Sequence, residues 1–131
     1  MRKLVGIVIV SHSEKLAAGV VEIAKMTAPD APIAAAGGME DGTLGTSYGK
    51  ISAAVDEVYS ADGVVVLMDM GSAVMTTEIV IEDMGNRKVT MLDCPLVEGA
   101  VLAAVESTGG ITLEGLAEKI KEAYNVRKLP E

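Results

Sequence analysis

The stretch Gly6–Val20, "GIVIVSHSEKLAAGV", changes character in its middle. Leu4–Val10 is an unbroken apolar run rich in Val and Ile, the pattern of a strand covered on both faces in a parallel sheet. From Glu14 to Thr27 the pattern becomes helical. The junction is Ser11-His12-Ser13, and His12 is the only histidine in the chain.

Working outward, "GVVVLM" at Gly63–Met68 repeats the buried-strand pattern, Val89–Leu92 ("VTML") is a shorter version, and Ile33–Ala36 is assigned because the alternation requires it. Between them the sequence predicts helices over Glu14–Thr27, Thr46–Tyr59, Ala73–Asp83 and Leu96–Ser107. A last helix over Leu113–Tyr124 sets Leu113, Leu116, Ala117, Ile120 and Ala123 against Glu114, Glu118, Lys119 and Glu122. Strand then helix, four times, is the signature of an open α/β fold with helices on both faces of a mainly parallel sheet, for which 2-1-3-4 is a common strand order. Val126–Leu129 reads as a fifth strand or as a tail. The 131 residues fit one domain, 1–131, large enough for a core of its own.

Composition removes several function classes. Half of the chain is apolar, yet it has three Tyr and no Phe or Trp, so the core is aliphatic. A net charge of −8 with no basic cluster argues against nucleic acid or anionic lipid as partners. The lone Cys94 rules out an intramolecular disulfide and leaves the compartment open, with a reducing cytoplasm as the default expectation. Met1-Arg2-Lys3 before an apolar run imitates a signal peptide, but His12, Glu14 and Lys15 follow at once without a cleavage site. No apolar run approaches the length of roughly 18 residues that a membrane span needs.

In an open parallel sheet, ligands bind outside the carboxyl ends of the strands where strand order reverses. His12 follows the first strand and Asp69 the third, the two that flank this crevice in a 2-1-3-4 sheet. The loop Gly37–Lys50, "GGMEDGTLGTSYGK", and the turn Asp93-Cys94-Pro95 open on the same edge. Ser11 and Glu14 match a capping box, which would set His12 in the first turn of the helix, beside unpaired N–H groups and the positive end of its dipole. Helix N-termini are natural phosphate sites. Nucleophilic phosphoryl transfer through a phosphohistidine fits these residues. One ring nitrogen of His12 attacks phosphorus, and Asp69 accepts a hydrogen bond from the other ring N–H and fixes the tautomer. One helix terminus contributes only about 0.3–1 kcal/mol toward an anion, so several donors must converge. The candidates are Ser13, Gly37, Gly38, Thr43, Gly71 and Ser72.

Each residue also has a plainer reading. Asp69 suits the cap of the helix that follows it, Gly37, Gly38 and Gly42 suit turns, and Cys94 suits a buried small hydrophobe. Most of the eight methionines read as core filler, with Met39 and Met70 in the loops around the crevice. A flavodoxin-like nucleotide binder would need a glycine-rich or hydroxyl-rich loop after the first strand. A phosphoaspartate receiver would need an acidic cluster there. A phosphohistidine mutase needs a second histidine, and zinc hydrolysis fails on ligand count. No cofactor and no metal are expected.

The blocks "GIVIVSHSEKLAAGV", "AAGGMEDGTLGTS" and "GVVVLMDMGSAVMTTE" resemble the phosphocarrier subunits of phosphoenolpyruvate-dependent dihydroxyacetone kinases, relatives of the mannose-type enzyme IIA of the bacterial sugar phosphotransferase system. The resemblance runs over nearly the whole chain. It implies a phosphoryl group taken from the phosphocarrier HPr onto His12, with Asp69 bonded to it, and passed to ADP on the nucleotide-binding subunit of the kinase. It implies a homodimer as well. Some relatives carry HPr-like and enzyme I-like domains behind this one, and the end at Glu131 suits the single-domain form. The alternatives kept open are an enzyme IIA of a mannose-family sugar transporter and a regulatory binding domain of the same fold.

Overall fold

The structure, a computed structural model, describes residues 4–123, 125 and 127–130. Among these residues nine elements follow in order: β1 Gly6–Ser11, α1 Glu14–Thr27, β2 Ile33–Gly37, α2 Tyr48–Val58, β3 Val64–Met68, α3 Ser72–Asp83, β4 Val89–Met91, α4 Leu96–Thr108 and α5 Leu113–Ala123. The four strands are parallel in the order β2-β1-β3-β4. Ile7 stands beside Ile33 on one side and Val65 on the other. The expected fold class and strand order are thus observed. No strand forms over residues 127–129, and Val126, the start of the candidate fifth strand, lies outside the described residues.

The unbroken apolar runs of β1 and β3 serve two cores at once. Ile7, Ile9, Val65 and Leu67 pack with Ala17, Val20, Ala100, Ala104, Leu116 and Ile120 on the face covered by α1, α4 and α5. Val8, Val10, Val64 and Val66 pack with Ile51, Val55, Ala73 and Val80 on the face covered by α2 and α3. Alternate side chains of a strand point to opposite faces, so a strand with a helical layer on each side must be apolar at every position. Fully burying one such Val or Ile contributes about 1.5–3 kcal/mol. The small residues of α1 and α4 let those helices sit close to the sheet.

This packing places the carboxyl ends of β1 and β3 side by side at the point where strand order reverses. The backbone N–H of Asp69 donates to the Val10 carbonyl at 3.1 Å, extending the β1–β3 ladder to the edge of the sheet. The loops that begin at Ser11 and Asp69 therefore start from fixed, adjacent anchors.

Candidate functional site

His12 and Asp69 meet across that edge. His12 Nδ1 lies 3.0 Å from Asp69 Oδ1, and the His12 backbone N–H donates to Asp69 Oδ2 at 2.9 Å. The Ser11 hydroxyl donates to Oδ2 at 2.9 Å and the Met70 N–H donates to Oδ1 at 2.7 Å. Partial burial pushes the Asp69 carboxyl up, but these hydrogen bonds outweigh it and hold the pKa below the ordinary aspartate value. Asp69 is therefore an anion that only accepts, and with the neutral ring the hydrogen between it and His12 sits on Nδ1. The lone pair is left on Nε2. Ser72 Oγ is 2.9 Å from that atom. The His12 side chain keeps 29% of its surface open.

Ser11 departs from its expected role. The sequence suggests that it caps α1 with Glu14 in the third helical position, but α1 begins at Glu14 and its N-cap is Ser13, whose hydroxyl oxygen accepts from the Leu16 N–H at 3.1 Å. Two serines two residues apart offer two registers for the cap, and the choice is made by Asp69, which claims Ser11. The same Ser11 oxygen accepts from the Ser13 N–H at 3.0 Å, so one hydroxyl ties the carboxylate to the start of α1. His12 consequently sits between strand and helix and not in the first helical turn. Glu14 pairs with Lys50, which lowers its pKa, and Lys50 also donates to the Gly37 carbonyl at 2.9 Å. Asp69 in turn does not cap α3, whose N-cap is Gly71 with φ 53° and no side-chain hydrogen bond.

The remaining candidates fall into two groups. Ser72 touches His12, and Gly71 adjoins it at the start of α3. Gly37, Gly38 and Thr43 have duties within the fold. A Cβ at Gly37 would come within 2.4 Å of the Ser13 carbonyl and 2.7 Å of Ala17 Cβ, so glycine there lets β2 pass under the start of α1. The Gly38 N–H donates to the Ser11 carbonyl at 3.1 Å. Thr43 donates to Asp41 Oδ1 from its N–H at 3.0 Å and its hydroxyl at 2.6 Å. The loop they shape returns to the histidine at its far end, where the Gly45 N–H donates to the His12 carbonyl at 2.9 Å.

Two contributors were not singled out by sequence. Thr46 Oγ1 lies 3.0 Å from Ser72 Oγ and 3.1 Å from Thr76 Oγ1, forming a row of hydroxyls that ends on His12. Only the density of Ser and Thr in "LGTS" and "MTTE" hints at them. Beyond Asp69 a cleft of about 290 Å³ opens between β3 and β4, lined by Met68, Val74, Met91, Leu92 and Cys94 among others. Burial and the neighbouring Asp93 and Glu98 push the Cys94 thiol up to about 11, so it stays protonated and unreactive near neutrality. Among the described residues no cluster of three or more His, Cys, Asp or Glu could hold a metal ion, and no helix is long and apolar enough to cross a membrane.

The sequence is similar to known proteins of one family. The sequence model of the family described as "PTS system fructose IIA component" matches residues 6–121. The phosphotransferase subunit DhaM of a PTS-dependent dihydroxyacetone kinase from Lactococcus lactis is 36% identical over 89% of this chain and 94% of its own. The phosphoryl donor subunit DhaM of PEP-dependent dihydroxyacetone kinase 1 from Listeria innocua is 42% identical over 81% of this chain and 84% of its own. The Escherichia coli phosphoryl donor subunit DhaM is 37% identical over 85% of this chain, which spans 25% of that longer protein. A crystal structure of a protein of unknown function, EF1359, superposes with a TM-score of 0.79 at 28% identity over 98% of both chains. With the family pattern matched over both strands that carry the site, the chain belongs to the mannose-type enzyme IIA family, among its DhaM-like members.

Proposed function

We propose that this chain is a phosphohistidine carrier, the phosphoryl donor subunit of a dihydroxyacetone kinase fed by the phosphotransferase system. In this reading it accepts a phosphoryl group from HPr on Nε2 of His12 and passes it to ADP held by the nucleotide-binding subunit, acting, like the family it resembles, as a homodimer. The names of its relatives support the kinase assignment. The observation that carries the chemistry is the 3.0 Å contact between Asp69 Oδ1 and His12 Nδ1.

The chemistry follows from that contact. The Nε2 lone pair attacks phosphorus, the bond from phosphorus to the donor breaks, and the donor keeps that electron pair. The ring now bears the phosphoryl on Nε2 and a hydrogen on Nδ1, so it gains positive charge, which the Asp69 carboxylate stabilises without taking the proton. In the second step an oxygen of the ADP β-phosphate attacks phosphorus and the P–Nε2 bond breaks, returning the lone pair to the ring. The hydroxyl of Ser72, already 2.9 Å from Nε2, and the backbone at Gly71 beside it are the donors this reading assigns to the bound group. Lys50, on the helix that follows the loop, is engaged with Glu14 and the Gly37 carbonyl and so is not left to grip it. A carrier that must release its cargo to a second partner gains from a grip of hydrogen bonds alone.

The test is the intact mass of the chain after incubation with phosphoenolpyruvate, enzyme I and HPr, beside a His12→Ala control. One acid-labile phosphoryl adduct, absent from the control and discharged on adding the nucleotide-binding subunit with ADP, is the expected result. Donors that phosphorylate another acceptor but leave this chain unmodified would overturn the carrier reading. An adduct that this subunit does not discharge would favour a transporter enzyme IIA instead.

A further inference from the structure

We propose that Thr46 is a positioning residue for the phosphorylation site, donating to Ser72 and so holding in place the hydroxyl whose hydrogen points at Nε2. Hydrogen counting along the row leads to this. Asp69 keeps the Nδ1 position of the neutral ring protonated, so Nε2 is an acceptor and the bond at 2.9 Å must be donated by Ser72. A hydroxyl has one hydrogen. With its own hydrogen on Nε2, Ser72 can only accept from Thr46 at 3.0 Å, and Thr46 can only accept from Thr76 at 3.1 Å. The direction of the whole row, Thr76 to Thr46 to Ser72 to His12, is thus set by a carboxylate at its far end. Such rows reinforce each bond in turn.

Thr46 is suited to this place for a second, separate reason. Its neighbour Gly45 donates its backbone N–H to the His12 carbonyl at 2.9 Å, so the segment that carries Thr46 is tied to the same histidine that receives the row. Thr46 sits on the loop before α2, whereas Ser72 and Thr76 stand one helical turn apart on α3. The row therefore bridges two elements across the site and holds the end of the loop against α3.

The remainder of the inference rests on the carrier reading. When Nε2 takes the phosphoryl group, its lone pair is gone and the Ser72 hydrogen needs a new acceptor. A phosphoryl oxygen attached to Nε2 is the nearest one, and Thr46 and Thr76 need not reverse for Ser72 to turn to it. The device gives Ser72 the same donor role before and after transfer. It removes a reorientation that the reaction would otherwise have to include.

The single histidine makes the test direct. Long-range ¹H–¹⁵N correlation spectra of the unphosphorylated chain contain one imidazole, and they report both its tautomer and whether Nε2 accepts a hydrogen bond. Thr46→Val removes the hydroxyl at nearly constant shape. The Nε2 resonance is expected to move toward that of an unbonded lone pair in Thr46→Val, by a smaller step in Thr76→Val, and to return in Thr46→Ser. Native Nε2 shifts in both valine variants would overturn the proposal. A displacement that Thr46→Ser does not reverse would also overturn it, because it would mark a packing role. Should Thr46→Val not fold, Thr76→Val decides the question by the same measurement, native shift against displaced shift. These spectra need no phosphoryl donor, so their outcome is independent of whether the chain accepts phosphate. In phosphoryl transfer from HPr, the loss of one neutral hydrogen bond is expected to lower kcat by about two- to tenfold and leave KM for the donor unchanged.

Discussion

Two helices begin beside His12, and they begin differently. The start of α1 closes on itself: Ser13 has the extended conformation of an N-cap and takes the Leu16 N–H on its hydroxyl. The start of α3 has no side-chain cap. Its N-cap Gly71 adopts φ 53°, ψ −117°, and Ser72, the first residue of the helix, sends its hydroxyl to the histidine. Each start carries a serine, as N-cap in α1 and as the first helical residue in α3, yet one completes its own helix and the other reaches to His12. On the carrier reading, the contrast makes α3 the positive helix end available to an anion and gives α1 the task of anchoring. Asp69 separates the two roles, with one carboxylate oxygen holding Ser11 and the His12 backbone and the other holding the Met70 N–H.

The largest effect is expected where both helix starts converge. Asp69→Asn replaces an acceptor that matches four donors with an amide that can match only part of them. Phosphoryl transfer from HPr should fall by about 10² or more, since the ring tautomer is no longer held and its developing charge is no longer countered. Rapid-quench measurement of adduct formation checks this. A near-native rate would remove the carboxylate from the chemistry and leave it as a structural tie. The variant also carries a pH signature. Because the folded-state pKa of Asp69 lies below its ordinary value of 3.8, the unfolded chain takes up the proton first as pH falls. The contribution of Asp69 is fully present above the unfolded value and is lost as pH falls through the folded one. Urea midpoints followed through this acid range should fall less steeply in Asp69→Asn than in the native chain.

What the sequence makes legible, and what it hides, follows the same division. The doubly covered strands are written in "GIVIV" and "GVVVLM", because two-sided burial demands an apolar residue at every position. The meeting of His12 with Asp69 was readable for the same reason: once β1 and β3 are neighbours, residues just past their ends must come together. The capping register was not. Ser11 and Ser13 compete for one local role, and the choice depends on a carboxylate 58 residues away in sequence. The Thr76–Thr46–Ser72 row was hidden more deeply still. It depends on how the loop after β2 folds back, through the Asp41–Thr43 turn and the Gly45 bond to His12, and no periodic pattern records such a path. Helix bounds shifted by only a residue or two, as at α2, expected from Thr46 but beginning at Tyr48 after its Ser47 cap.

A smaller effect should follow at the open helix start. Gly71→Ala introduces a Cβ that meets nothing within 4 Å, so no clash accompanies it and the whole cost is backbone strain at φ 53°. Holding an L-residue in so sparsely populated a conformation costs about 1–3 kcal/mol. Urea unfolding measures that loss, and phosphoryl transfer measures its consequence. If the start of α3 is the donor surface, transfer should decline further than stability at working temperature would predict, because relief of the strain moves Ser72 away from Nε2. Loss of stability with transfer unchanged would shift the donor role away from α3.

The smallest effect belongs to the closed helix start. Ser13→Ala removes the cap of α1 and leaves the Leu16 N–H without its partner, at a cost of about 1 kcal/mol. The backbone N–H of residue 13 would still donate to Ser11, so the tie from Asp69 through Ser11 to α1 persists. Stability should therefore drop by that amount while the rate of adduct formation from HPr is retained. The reverse result would be the more instructive one. A Ser13→Ala chain of native stability that transfers phosphate slowly would mean that the Ser13 hydroxyl gives its hydrogen to the phosphoryl group. Both helix starts would then serve the site, and the asymmetry between α1 and α3 would be one of backbone conformation alone.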